Sequence, residues 1–232
     1  MAPKRLYVIV EGQTEEEFVN QVLSPHFYTL GIYDIRGIPI KTGKDPEGKK
    51  ASGGAVKFQR YKNHAEKLLK GEKDIVLTSL IDFFRLASDF PCYQKVQKAN
   101  ISPQKKAERL EECLSQEIND PRFIPYIQVH EFEALVFAGS KSTLLKIAKA
   151  LNSSPETVEK ELDKILKKYP NPEDINNHPN TAPSKRLEKL LPGYKKVLHG
   201  NLIIKQNGIS RLIERCPHFA QWIEKLENEL KK

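Results

Sequence analysis

The chain has 232 residues, of which 39% are apolar and 29% are charged, a composition that is ordinary for a globular protein. No run approaches the roughly 18 apolar residues that span a bilayer, and the first residues do not form a signal-peptide pattern. The formal net charge of +8 is concentrated after residue 139, where 18 basic residues stand against 11 acidic ones. Cys92, Cys113 and Cys216 match no disulfide or zinc spacing, so we expect a reducing, cytoplasmic location.

Four nearly continuous apolar runs predict buried strands at residues 5–10, 35–40, 74–81 and 123–129. Pro39 and Pro125 weaken the second and fourth runs, because proline donates no hydrogen bond to a neighbouring strand. Helical patterns separate the runs, and the first begins at a capping box formed by Thr14 and Glu17. This alternation predicts an α/β fold with a mainly parallel four-stranded sheet and helices on both faces.

Beyond residue 139 the strand signal fades. Apolar residues at helical spacing mark 144–151, 158–166 and 219–230, and turn formers fill 169–183. We therefore predict a core at residues 1–139 and a helical C-terminal subdomain, residues 140–232, packed on it. The glycine- and lysine-rich segment 43–54 is predicted to be a mobile loop.

Three of the four predicted strands end in acidic residues. Glu11 follows the first strand and Glu15 lies four residues on, while Asp82 follows the third strand and Asp89 comes soon after. The fourth strand continues into His130-Glu-Phe-Glu133. The carboxyl ends of parallel strands lie at one edge of a sheet, where such folds bind ligands, so these groups are expected to converge. Carboxylates suit Mg²⁺ or Mn²⁺, which activates water for phosphodiester cleavage. The predicted metal ligands are Glu11, Glu15, Asp82, Asp89 and Glu131.

A plainer interpretation competes with the functional one at several of these residues. Residues 15–17 favour a helix N-terminus through the helix dipole. Asp82 directly follows two apolar residues, a costly position for an unpaired charge, which favours a functional role. His130 is either a metal ligand or base, or a hydrogen-bonded structural histidine. Glu131 is preferred to Glu133, since the two do not face the same way.

Basic residues are dense between residues 41 and 62. They suit a polyanionic substrate beside an acidic site, and a solvated lysine-rich surface is the open alternative. The predicted nucleic-acid contacts are Lys41, Lys44, Lys49, Lys50, Lys57, Arg60 and Arg186. The chain has no Walker motif, nucleophile elbow, zincin motif or dinucleotide fingerprint, which argues against those enzyme classes.

Several motifs resemble known proteins. Val10-Glu-Gly-x-x-Glu15 resembles the first motif of the Toprim domain of topoisomerases, primases, recombination mediators and OLD-type nucleases. Asp82-Phe-Phe, His130-Glu-Phe-Glu-Ala-Leu135 and Thr181-Ala-Pro-Ser-Lys-Arg-Leu187 resemble more closely a bacterial family of unknown function that is grouped with Toprim. The resemblance implies a compact Rossmann-like sheet.

The resemblance also implies site roles. Glu11 would serve as general acid/base or metal ligand, and Glu15 as a metal ligand. Lys185 or Arg186 would supply a later basic residue, although both also suit an ordinary helix start. The second Toprim motif, Asp-x-Asp, is incomplete here, because Asp82 is followed by two phenylalanines.

The expected function is thus a Mg²⁺- or Mn²⁺-dependent nuclease acting on DNA or RNA. The resemblance adds an ABC- or SMC-type ATPase partner in bacterial defence, and self-association is left open. One alternative is a degenerate Toprim-like binding or sensor subunit. A third reading is phosphoryl transfer on a small phosphorylated metabolite.

Overall fold

The computed structural model describes residues 5–40, 56–175, 178 and 180–232. The predicted mobile loop at 43–54 lies outside these residues. So do four of the predicted nucleic-acid contacts, Lys41, Lys44, Lys49 and Lys50. The strands in the described part are β1 (Arg5–Val10), β2 (Ile35–Pro39), β3 (Ile75–Asp82), β4 (Phe123–Ile124) and β5 (Ile127–Gln128).

The strands form one sheet in the order β2-β1-β3-β4, and β5 pairs with the far end of β3. Every pairing is parallel, which confirms the predicted mainly parallel α/β architecture. Val10 at the end of β1 lies opposite Pro39 on one side and Leu80 on the other. Pro39 is tolerated because β2 is the edge strand of the described sheet.

The predicted fourth strand, 123–129, is two short strands. Pro125 has no N–H to donate, and the N–H of Tyr126 donates to Ser79 Oγ at 3.0 Å instead of to a backbone carbonyl. Pairing resumes in β5, where Gln128 lies in register with Asp82. Despite the interruption at Pro125, the chain therefore still reaches the carboxyl end of β3.

Helices cover the sheet between and after the strands. The first six are α1 (Gln13–Phe18), α2 (Ser24–Tyr28), α3 (Phe58–Gly71), α4 (Tyr93–Lys98), α5 (Pro103–Ile118) and α6 (Glu133–Val136). A π-helical turn at Val19–Leu23 joins α1 to α2. The predicted capping box is wrong: α1 begins at Gln13, so Thr14 lies inside the helix, and no side chain caps its N-terminus.

The chain after residue 139 is helical, as predicted. Its helices are α7 (Lys141–Ala150), α8 (Pro155–Lys168), α9 (Pro183–Leu190), α10 (Asn201–Arg215) and α11 (Pro217–Leu230). A π-helical turn at Lys196–Gly200 leads directly into α10. The division at residue 139 stays a prediction, and one hydrophobic core contains residues from both sides of it.

Alternate side chains of the strands enter two separate cores. Leu6 and Val8 of β1 belong to a core that includes Trp222 and Leu226 of α11. Tyr7 of the same strand faces the opposite core, which is built with α3 and α5. The indole N–H of Trp222 donates to Thr78 Oγ1 of β3 at 2.8 Å. The C-terminal helices thus share the covering of this face with α1, the π-helical turn and α2.

The expectation that the cysteines form no disulfide is wrong. Cys92 and Cys113 are joined, with their Cα atoms 6.3 Å apart, whereas Cys216 is free and buried. The two bonded residues are far apart in sequence, but packing of α4 against α5 brings them together. Cysteine spacing therefore no longer supports a reducing compartment. Among the described helices, none is long and apolar enough to cross a bilayer.

Candidate active site

Two carboxylates meet where β1 and β3 end. The backbone N–H of Asp82 donates to Glu11 Oε1 at 3.1 Å, which fixes Glu11 beside the last residue of β3. The parallel register places both strand ends at one edge, because Val10 is paired with Leu80. The sequence prediction that Glu11 and Asp82 converge is met by this contact.

The segment after β5 completes one side of this site. Asp82 Oδ1 accepts a hydrogen bond from the N–H of Phe132 at 2.8 Å, so the carboxylate holds the residue that precedes α6. His130 has a φ of 63°, a left-handed conformation that few residues other than glycine adopt. The turn there directs Glu133, the first residue of α6, into the site beside Asp82.

Lys196 lies at the centre of the cluster. Its Nζ atom is 3.2 Å from Glu15 Oε1, 3.3 Å from Glu133 Oε2 and 3.7 Å from Asp82 Oδ2. The three carboxylate side chains are only 4–7% exposed, and that of Lys196 is 26% exposed. The ammonium also lies 5.5 Å from the centre of the Phe132 ring, a cation–π distance. We call the group formed by Glu11, Glu15, Asp82, Glu133 and Lys196 the Lys196 cluster.

Asn201 fixes Lys196 relative to the first helix. Its Nδ2 atom donates to the carbonyl of Thr14 at 3.0 Å and to that of Val197 at 3.1 Å. Thr14 directly precedes Glu15, and Val197 directly follows Lys196. One buried amide therefore joins the two backbone segments that carry this ion pair.

Burial and mutual repulsion change the proton affinities of the cluster. Burial is the main cause that raises the pKa of Glu11 to about 7, and the neighbouring Glu15 adds to it. Burial also raises the pKa values of Asp82 and Glu133. For Lys196, burial alone would lower the pKa, but the facing carboxylates outweigh it and raise the pKa above its ordinary value. Lys196 is therefore charged at neutral pH.

Two of the predicted metal ligands make other contacts. Both carboxylate oxygens of Asp89 accept from the N–H of Phe58 at 3.2 Å, so Asp89 caps the start of α3. Glu131 Oε2 accepts from the N–H of Ser184 at 3.0 Å and caps α9. The charge of Glu131 also raises the pKa of Glu133, which places it near the cluster.

The predicted basic residues in the described part lie at helix starts. Lys185 is half-exposed and pairs with Glu188 at 2.7 Å within α9. Arg186 donates from Nε to the Thr181 carbonyl at 2.7 Å, and its guanidinium lies over the ring of Tyr169. Lys57 and Arg60 are exposed at the start of α3. Their roles in catalysis or in nucleic-acid binding stay predictions.

His130 fits the structural alternative poorly. The residue is only 4% exposed, and neither ring nitrogen has a hydrogen-bond partner among the described residues. Burial lowers its pKa to about 4, so the imidazole is neutral. A role as a hydrogen-bonded core histidine is not supported by these contacts.

The donor set of the cluster matches a hard divalent cation in chemistry, since all its acidic ligands are carboxylates. Its geometry is closed around the Lys196 ammonium. Among the described residues, no group of three His, Cys, Asp or Glu side chains is arranged to hold a metal ion. Three carboxylates nevertheless face one ammonium, and the carboxylate of Glu11 lies beside Asp82. A divalent cation would neutralise negative charge on these side chains.

Sequence analysis missed two members of the cluster. The sequence prediction prefers Glu131 to Glu133 because the two do not face the same way, and in the structure Glu133 is the one that faces Lys196. Lys196 gives no local signal: it follows a turn and Lys195 and resembles a solvated surface lysine. A weak signal was the excess of positive charge after residue 139, which has too few acidic partners of its own.

Fold and site together define a parallel α/β protein with a lysine-bridged acidic cluster at the carboxyl edge of its sheet. The chain belongs to the family described as a domain of unknown function, DUF4276, whose model matches residues 10–227. A solved structure, the C-terminal region of the Xanthomonas campestris pv. campestris OLD protein, is similar with a TM-score of 0.49 and 13% identity, covering 98% of this chain and 94% of that one. A comparison with curated proteins gives no match.

Proposed function

We propose that the Lys196 cluster is the active site of a Mg²⁺- or Mn²⁺-dependent phosphodiesterase that cleaves DNA or RNA. The observation that supports it most is the convergence of Glu11, Asp82 and Glu15 at the edge where parallel sheets bind ligands. The first-strand motif that resembles Toprim contributes two of these residues. The same resemblance adds an ATPase partner in bacterial defence to the proposal.

The roles of the chain's own groups follow from their exposure and charge. Glu11, Glu15 and Asp82 would hold the cation, which supplies Lewis-acid activation of water and of the phosphate when bound. Glu11 is the half-buried member of the cluster, whereas Glu15 and Asp82 are buried. Glu11 is thus the carboxylate that reaches a substrate and accepts a proton from the attacking water.

Lys196 contributes positive charge at a fixed point. Its ammonium holds the carboxylates of Glu15 and Glu133 within 3.3 Å and stabilises the negative charge that develops on a phosphate. In the proposed function Lys196 takes the basic role that the sequence resemblance assigns to Lys185 or Arg186.

The test is cleavage of labelled single- and double-stranded DNA and RNA with Mg²⁺ or Mn²⁺, alone and with an ABC- or SMC-type ATPase. Glu11→Gln and Asp82→Asn should each lower the rate by about 100-fold or more. Glu16→Gln is the matched control, because Glu16 follows Glu15 on α1 but packs against Gly37 of β2 instead of facing the cluster. Cleavage that survives in Glu11→Gln, or no cleavage by wild type under any of these conditions, overturns the proposal.

A second candidate function is a binding or sensor subunit without catalysis. It is favoured by the closure of the cluster around Lys196 and by the incomplete Asp-x-Asp motif. Calorimetric titration separates the two candidates. Divalent-metal binding that is lost in Asp82→Asn supports catalysis, and salt-dependent nucleic-acid binding by a protein that binds no divalent metal supports the binding subunit.

A further inference from the structure

A surface cavity of about 570 Å³ lies beside the Lys196 cluster, between the start of α10 and the helix that follows β1. Pockets of about 300–1,000 Å³ are typical for small ligands. Lys196 and Asn201 are both part of its wall. The cavity therefore shares two residues with the framework of the acidic site.

The walls of the cavity offer an apolar surface. Leu198 and Leu202 are 60% and 36% exposed, four residues apart along the helical chain, so they present neighbouring surfaces. Both leucines therefore leave apolar surface in contact with water. A flat apolar ligand body, such as a nucleobase, would cover them.

The rim of the cavity is positively charged. Lys195 and Lys205 are exposed and line the cavity, and neither has an ion-pair partner among the described residues. Among the described residues that line the cavity, Glu17 is the acidic one, and it accepts a hydrogen bond from Gln21 at 2.6 Å. The two lysines outnumber the one carboxylate, so the rim attracts a ligand that carries a phosphate.

Asn201 supplies the third feature. Its Nδ2 donates to two backbone carbonyls, while its Oδ1 is buried without a partner among the described residues. A buried acceptor without a donor costs free energy. A ligand with an N–H group, which nucleobases carry, would satisfy it.

The geometry points to this cavity as a nucleotide subsite, which holds the base and phosphate next to the bond that the Lys196 cluster cleaves. The assignment rests on the proposed function. It names the substrate more closely, as a strand whose nucleotide is unpaired and turned toward α10.

The experiment measures fluorescence anisotropy of labelled oligothymidine and oligouridine with the full chain in EDTA. Lys205→Met should weaken binding and reduce the slope of log affinity against log salt by about one. Leu202→Asp should weaken it by about fivefold or more, because it adds a charge that repels phosphate. The matched controls are Lys149→Met, on α7, and Leu30→Asp, which changes a leucine of 37% exposure.

Equal effects of the cavity variants and their controls, or no oligonucleotide binding by wild type, overturn the subsite. So does polyglutamate that competes as well as unlabelled oligonucleotide, which indicates a site for acidic peptides. Failure of the proposed function is a separate outcome. A protein that binds through the cavity but cuts nothing refutes catalysis alone, and one that cuts with an unchanged KM in Lys205→Met refutes the subsite alone.

Discussion

Replacing Lys196 with methionine removes the positive charge of the cluster and keeps a side chain of similar length. In the wild type its ammonium lies within 3.7 Å of three carboxylates that are nearly inaccessible to water. The variant leaves Glu15, Asp82 and Glu133 facing one another without a counter-charge. Loss of one partner from a buried ion pair typically costs about 3–5 kcal/mol, and we expect Lys196→Met to lower the free energy of unfolding by that amount near pH 8.

The loss should shrink as the pH falls. Without the ammonium, the buried carboxylates hold protons more tightly in the folded state than in the unfolded state. Such raised pKa values make stability decrease as pH rises above the unfolded value of about 4.5. In wild type, Lys196 remains charged across this range, because its pKa is raised. The difference between variant and wild type is therefore larger at pH 8 than at pH 5.

Urea unfolding at both pH values measures the effect, followed by fluorescence of Trp222, the one tryptophan in the chain. Lys185→Met is the matched control, since its ion pair with Glu188 is half-exposed and such pairs contribute about 1 kcal/mol or less. If Lys196→Met unfolds at the same urea concentration as this control at pH 8, the cluster does not depend on the ammonium.

Three further outcomes follow from buried contacts. Glu173 accepts hydrogen bonds from the N–H groups at the start of α11, and burial raises its pKa to about 7. Between pH 4.5 and pH 8, the free energy of unfolding of the wild type, measured in urea, should therefore fall by up to about 3 kcal/mol relative to that of Glu173→Gln. Parallel pH profiles of the two proteins would contradict this. Thr78→Val leaves the indole N–H of Trp222 without its acceptor and should cost about 1–3 kcal/mol in thermal unfolding; an unchanged melting temperature would show that another acceptor replaces the hydroxyl. In Gly200→Ala the new methyl would lie 2.6 Å from the Tyr194 hydroxyl oxygen, which should lower the free energy of unfolding by about 1–2 kcal/mol. This loss should fall by more than half in a Tyr194→Phe background. An equal loss in both backgrounds would place the strain elsewhere.

The strands of the sheet were predictable because their apolar runs are local and continuous. β1 occupies the predicted residues 5–10, β2 ends one residue earlier than predicted, and β3 is shifted by one residue at both ends. The break in the predicted fourth strand was signalled by Pro125, whose effect on hydrogen bonding is also local. The parallel arrangement put Glu11 and Asp82 at the same edge of the sheet, and the pairing of β1 with β3 made them neighbours.

The remainder of the site depends on contacts that no local pattern encodes. Lys196 pairs with Glu15 from almost the other end of the chain, so its role is set by how the C-terminal helices pack on the sheet. Cys92 and Cys113 pair for the same reason, because the packing of α4 on α5 determines their separation. Asp89 has the residue type and spacing of a metal ligand, but its contact with Phe58 is decided by where α3 begins.

The ion pair between Glu15 and Lys196 also orders events during synthesis. The ribosome releases Glu15 long before Lys196, and Asp82 and Glu133 emerge between them. Until the segment at Lys196–Gly200 has left the exit tunnel, a nascent chain carries acidic groups with no ammonium to hold them together. The cluster is therefore completed only after the segment at Lys196–Gly200 has emerged from the ribosome.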